Sequence, residues 1–170
     1  MSHSTRKLGN TFIWLGWIIG FFILALLFDD IIEQQINPNQ SFNTAENSSF
    51  QEITLQRNRR GHYLFNGKIN NKTVTFMVDT GATTTSIPAH LSQSLQLPRG
   101  RSFQVQTANG TSLAYATQIR SLKLGEIEFN NTSASLNPGL KGDEILLGMN
   151  ILKNMEFIQR GEVLIMRKYQ

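Results

Sequence analysis

Eighteen consecutive residues, Thr11 to Phe28, carry no charge and read TFIWLGWIIGFFILALLF. A water-facing surface cannot accept such a run. As a helix rising ~1.5 Å per residue it spans about 27 Å, close to the ~30 Å of a bilayer core. A cleaved signal sequence is the competing reading, but its apolar core would be shorter and small residues would mark a cleavage site. Leu27-Phe28-Asp29-Asp30 offers no such site, so residues 11–28 are read as an uncleaved single-pass anchor. Arg6 and Lys7 precede the run, and Asp29, Asp30 and Glu33 come after it. The positive-inside tendency then keeps residues 1–10 cytoplasmic and translocates the chain from Asp29 onward. In a bacterial cell, that location is the periplasmic face of the inner (plasma) membrane.

Beyond the anchor the composition changes twice. Asn37 to Gln51 is rich in Asn, Gln, Ser and Thr, too polar to offset the cost of ordering the chain, so residues 29–52 are expected to form a flexible stalk. Residues 53–170 alternate short apolar runs with turn signals. Asn70-Asn71 separates His62–Ile69 from Thr73–Val78, and Asn109-Gly110 separates Phe103–Ala108 from Ser112–Ile119. Gly125-Glu126 and Arg160-Gly161 mark two further hairpins. Short helices are expected at Pro88–Leu95, with proline at its start, and at Asn150–Lys153. The pattern predicts an all-β domain, a small barrel or sandwich.

Several chemistries lack their residues. There is no cysteine, which removes disulfides, thiolate nucleophiles and Cys-ligated zinc. His3, His62 and His90 are scattered without metal-ligand spacing, so neither a metal nor a cofactor is expected. Thr83 to Ser86 have no neighbouring base to activate a hydroxyl. The net charge is +4, but only Arg57-Asn58-Arg59-Arg60 clusters, and it lacks interleaved aromatics. Nucleic acid is therefore not an expected partner.

The domain does carry a carboxylate at the end of a strand. Val74-Thr75-Phe76-Met77-Val78 delivers Asp79, and Thr80-Gly81-Ala82 then lets the backbone turn sharply. Asp and Gly are common turn residues, so a purely structural turn is the alternative. A second apolar strand, Ile145-Leu146-Leu147, ends in Gly148 and enters the later helix. These two motifs, with the Asn109-Gly110 hairpin between them, resemble the retropepsin-like aspartic proteases in order and spacing, over about residues 60 to 170. The resemblance implies a small closed β-barrel of the acid-protease type with one or two short helices. It assigns Asp79 as the catalytic residue and Thr80, Gly81 and Ala82 as holding its geometry. Leu146, Leu147 and Gly148 become the supporting strand, and Asn109 and Gly110 lie in the flap over substrate.

One carboxylate cannot serve as both general acid and general base, and Asp-Thr-Gly occurs once. The resemblance therefore implies a homodimer in which Asp79 of each copy faces the other. Thr80 would bond across the two-fold axis, and Val163–Met166 would join an intersubunit sheet. The expected activity is a membrane-anchored aspartic endopeptidase acting on peptide or protein substrates. A non-cleaving peptide-binding module or a membrane-tethered scaffold on the same fold is the alternative.

Gly16 and Gly20 form a small-xxx-small pattern that lets two membrane helices approach closely. Gly16→Ile with Gly20→Ile is expected to reduce dimer and activity in membranes while leaving a soluble fragment unchanged. Dimer mass and peptide cleavage measured in both settings check this.

Overall fold

The computed structural model describes residues 2–47, 49–107 and 110–169, with residues 2–11, 29–31 and 107 described by their backbone alone. The chain divides into two units, Met1–Ile36 and Asn37–Gln170. The first unit is a single helix, α1 (Ser2–Ile36). Its segment Phe12–Ile36 has a mean hydropathy of 2.2, long and apolar enough to cross a membrane. Trp14 and Trp17 on it are 69% and 72% exposed. The helix continues past the expected end at Phe28. Nothing in residues 29–36 breaks a helix, whereas Pro38 pushes the residue before it out of helical geometry.

Among its described residues, the second unit has eleven strands, a 3₁₀ turn and one short helix. A hairpin of β3 (Leu64–Ile69) and β4 (Lys72–Val78) starts its larger sheet. Asn70 and Asn71 turn it with φ of 47° and 67°, the two left-handed positions of the tightest hairpin turn. The remaining strands of this sheet are β5 (Ser86–Pro88), β6 (Ser102–Thr107), β7 (Gly110–Leu124), β8 (Ile127–Asn137) and β9 (Ile145–Leu147). They lie in the order β3-β4-β9-β5-β8-β7-β6. Lys68 and Ile69 also pair with Lys123 and Leu122, so the far half of β7 returns to β3 and closes a barrel. Its interior holds Phe65, Phe76, Ile69, Leu122, Leu136 and Ile145, each at most 1% exposed. The near half of β7 pairs with β6 and forms the hairpin expected around Asn109-Gly110. Gly110 has a φ of +101°, while Asn109 lies outside the described residues.

The smaller sheet has the order β1-β2-β11-β10, from β1 (Asn43–Glu46), β2 (Phe50–Gln56), β10 (Glu156–Arg160) and β11 (Val163–Tyr169). Ile53, Leu55, Leu164 and Met166 turn one face into the core. On the sheet, the Arg167 guanidinium bonds the Glu52 carboxylate, and Tyr169 Oη donates to Glu156 over 2.9 Å. The first bond holds the arginine above its ordinary pKa, and the second raises the tyrosine likewise. Because β11 has β2 on one side and β10 on the other, it is not an open edge, and Val163–Met166 does not itself offer the pairing edge that the resemblance implied. The open edges of this sheet belong to β1 and β10.

Two further expectations are corrected. Pro88 ends strand β5, and only Ala89–Leu91 is helical, as a 3₁₀ turn. Ser86–Pro88 pairs in register with Ser135–Asn137, which holds the segment extended. The segment expected as stalk is folded from Asn37 onward. Asn39 is 3% exposed and sits where β2 and β3 diverge. Its Nδ2 donates to the carbonyls of Gln56 (2.8 Å) and Leu64 (2.6 Å), and its Oδ1 accepts from the Gln56 amide (2.6 Å). The Asn37 side chain bonds Asn66 Oδ1 at 3.0 Å. A side-chain amide thus closes a gap between backbones, work that apolar periodicity does not reveal.

Asn39→Ala leaves the buried Leu64 carbonyl and two part-buried Gln56 backbone groups without that partner, and about 1–3 kcal/mol of stability should be lost. Urea unfolding of wild type and variant, followed by far-ultraviolet circular dichroism, measures the difference.

Candidate active site

Strand β4 reaches the site because β9 lies parallel beside it, with Phe76, Met77 and Val78 in register with Ile145, Leu146 and Leu147. The Val78 amide donates to Tyr63 O at 3.0 Å, and the Asp79 amide donates to Leu147 O at 3.2 Å. Asp79 is therefore held by the neighbours on both sides of its strand as the ladder ends. It is partly buried, while Thr80 and Gly81 are exposed and Ala82 is partly buried. The Gly81 amide donates to Asp79 Oδ1 at 2.9 Å, and the Ala82 amide to Asp79 O at 3.2 Å. The tripeptide closes on its own first residue. A bulkier residue at position 81 would crowd the carboxylate, since a Cβ there would lie 3.2 Å from Asp79 Oδ1.

The supporting strand reaches the turn from below. After Leu147, Gly148 caps the short helix α2 (Met149–Leu152). The Met149 amide donates to Ala82 O at 2.7 Å, and the Asn150 amide to Thr83 O at 3.1 Å. This contact is possible because Gly148 has no side chain. A Cβ at that position would fall 2.5 Å from the carbonyl carbon of Thr84 and 2.8 Å from Ala82 O. Leu147 and Gly148 are buried, and the partly buried Leu146 pairs with Ser86 on the other side. Strand β9 thus separates β4 from β5 and carries the glycine to the underside of the Asp79 loop.

Sequence reasoning missed a second brace. Thr85 is fully buried, and Asn150 Oδ1 accepts from both its amide (2.8 Å) and its hydroxyl (3.0 Å). Asn150 Nδ2 donates onward to Ser133 O at 2.8 Å, tying loop, helix and β8 together. The signal was an asparagine in the first turn of a helix that comes directly after an apolar-apolar-Gly strand. His90 also differs from its reading as isolated: its Nε2 lies 2.8 Å from Asp143 Oδ1, in an exposed pair.

Chemically, the loop offers one carboxylate at a fixed position. Asp79 is the sole acidic residue between Glu52 and Glu126. Among the described residues no group of three His, Cys, Asp or Glu side chains could hold a metal ion. The hydroxyl of Tyr63, beside Val78, is buried without a hydrogen-bond partner.

Gly148→Ala forces a methyl group into backbone atoms, and overpacking of this kind costs about 1–3 kcal/mol. The loss should be accompanied by displacement of the Asp79 turn, read as altered amide shifts of residues 79–82 relative to those of β2. Asn150→Ala, which removes the brace without adding bulk, is expected to loosen the same residues, with faster amide exchange at Thr85.

Three comparisons place this arrangement among known proteins. The family model described as gag-polyprotein putative aspartyl protease matches residues 65–154. An uncharacterised protein encoded in the cobV 5′ region of a Sinorhizobium species is 28% identical over 125 residues, covering 72% of this chain and 54% of that protein. An uncharacterised protein of Rickettsia prowazekii (strain Madrid E) is 30% identical over 121 residues, covering 69% of this chain and 52% of that protein. The chain therefore spans about half the length of the curated relatives it matches. The crystal structure of a retropepsin-like aspartic protease from Rickettsia conorii matches with a TM-score of 0.58 and 28% identity, over 76% of this chain and 95% of that one. The family match runs from β3 to just beyond α2 and so includes both arms that hold the Asp79 turn: the chain belongs to the gag-polyprotein aspartyl protease family and has the retropepsin-like fold.

Proposed function

We propose that this protein is an aspartic endopeptidase that works as a homodimer, with Asp79 of each copy supplying half of the catalytic pair. The observation that carries the reading is the suspended turn at Asp79, in which β9 and Gly148 fix a lone carboxylate. Two carboxylates about 3 Å apart cannot both ionise freely, so the pair would share one proton. The ionised member takes a proton from a water held between them as that water attacks the scissile carbonyl. The protonated member donates a hydrogen bond to the carbonyl oxygen. Thr80, exposed at the turn, would bond across the two-fold axis; the Gly81 amide on the carboxylate and the Ala82 amide on the Asp79 carbonyl support the reading that these residues hold its geometry. The β6–β7 hairpin, in which Gly110 begins β7, would close over bound peptide.

A second copy also has a surface to meet. Strand β10 is an edge, and Phe157 on it is 38% exposed, as is Met149 on α2 at 37%. An isologous contact along β10 would pair two unsatisfied edges and cover these side chains. Residues 11–28 serve in this reading as a single-pass anchor, with residues 1–10 cytoplasmic and the protease domain on the periplasmic side. Residues 29–36 extend the anchor helix, and the catalytic domain begins at Asn37. Confinement to one membrane raises the effective concentration of two copies and favours a weak dimer.

Asp79→Asn should abolish peptide cleavage, by about 10²-fold or more, without changing oligomeric mass. Retained turnover would remove Asp79 from the chemistry. Phe157→Lys places like charges at the β10 contact and should shift the mass to monomer, with activity falling in proportion. A monomeric variant that still cleaves at the wild-type rate would refute the shared site.

A further inference from the structure

The loop that leads into the strand beside Asp79 is crowded with arginine. It runs from Arg57 to His62 and is built around Asn58, which is 7% exposed. Asn58 Oδ1 accepts from the amides of Arg60 (3.0 Å) and His62 (2.9 Å), and the Asn58 amide donates to His62 O at 2.8 Å. Gly61 turns the loop with a φ of +86°, a left-handed conformation that costs a glycine little. Arg57 is consumed within the fold: its Nε donates to Gly61 O at 3.1 Å, and its guanidinium lies 3.6 Å from Glu162. Arg59 and Arg60 are exposed, and among the described residues no carboxylate lies within ion-pairing distance of either. A rigid frame therefore presents two uncompensated positive charges.

Their position relates them to the catalytic turn. Leu64 is in register with Met77, and the Val78 amide bonds Tyr63 O. His62 is the loop residue directly before Tyr63, the last residue bonded to the strand that delivers Asp79. Arg60 is two residues further back, at most about 7 Å of extended backbone from His62, and its side chain adds to that reach. A bound peptide in extended form rises ~3.3 Å per residue. A guanidinium within that reach of the Asp79 strand would meet side chains roughly two to four residues from the point of attack.

We propose that Arg59 and Arg60 form a selectivity wall that favours substrates carrying Asp or Glu two to four residues from the scissile bond. The assignment of a scissile bond rests on the endopeptidase reading above, whereas the preference for acidic peptides does not. A peptide is favoured over anionic lipid as the partner because the loop continues directly into the strand pair that positions Asp79.

Two measurements on the full chain in nanodiscs test this. The first is cleavage by wild type of a matched peptide set that differs only in Glu, Gln or Lys at those positions. The second is binding of the same fluorescent peptides to the Asp79→Asn protein, which needs no turnover. Each is repeated with Arg59→Glu/Arg60→Glu and with the milder Arg59→Gln/Arg60→Gln, and circular dichroism verifies folding. Two exposed charges should favour the Glu peptide over the Lys peptide by about five- to tenfold at low salt, with the margin shrinking as salt is added. The glutamine pair should erase this preference and the glutamate pair invert it, with the Gln peptide unaffected. Equal binding of Glu and Lys peptides to the Asp79→Asn protein overturns the proposal, as does a preference that survives both substitutions. A preference seen only in discs containing anionic lipid, and absent in zwitterionic ones, overturns it in favour of headgroup contact. If no peptide is cleaved but arginine-dependent binding persists, the endopeptidase reading fails and the selectivity wall stands.

Discussion

The site depends on the insertion of one three-residue strand between two others. Strand β9 is parallel to β4 and antiparallel to β5, although β4 and β5 are neighbours in sequence and more than fifty residues separate them from β9. With both edges occupied, its backbone groups are satisfied inside the barrel, where an unpaired one would be costly. The segment joining β4 to β5 must therefore arch over the end of β9. That arch contains Asp79, Thr80 and Gly81. The carboxylate is held high and fixed because the chain has to step over a strand, and Gly148 makes the step shallow enough for Ala82 and Thr83 to bond the backbone beneath.

The sequence revealed those parts of the fold in which local chemistry and tertiary structure agree. Asn70-Asn71, Gly125 and Gly161 sit at their hairpin turns with positive φ, which are conformations those residues tolerate. The two apolar strands flanking the site were visible because each ends in a glycine-dependent turn. Where polar side chains replace backbone partners, the same logic failed. Asn37 and Asn39 look like stalk by composition, yet they are buried because their amides complete a split between strands. The second half of β8, Asn130 to Asn137, is too polar to carry a clear strand alternation, but Ala134, Ser135 and Leu136 are buried in a strand paired with β7 and β5. Thr85 and Asn150 are 65 residues apart, and nothing local links them. Such bonds are set by the finished fold and leave no periodicity to read.

The two sheets divide the work differently. The barrel positions the Asp79 turn, while the smaller sheet joins the beginning of the globular unit to its end through β2 and β11. That joining explains why the C-terminal strand is not an open edge and why β10 lies outermost instead. It also brings the Arg57 loop against the β10–β11 turn, where Glu162 offsets one of its charges and leaves the other arginines exposed.

Strand β7 runs unbroken for fifteen residues, serving as one arm of the projecting hairpin at its start and as a barrel stave at its end. A projecting arm and a stave made of one piece cannot move independently. The base of the hairpin is further clamped where the Gly100 and Ala116 backbones approach closely, with the Gly100 amide donating to Ala116 O at 2.8 Å. Any swing of the tip must therefore be distributed as twist along the strand, as in a leaf spring set in a wall, without a pivot at a single residue. Stiffness at the start of β7 is then inherited from packing around Ile119 and Leu122, which are buried in the core. Core substitutions far from the carboxylate would then tune how stiffly the start of β7 is held.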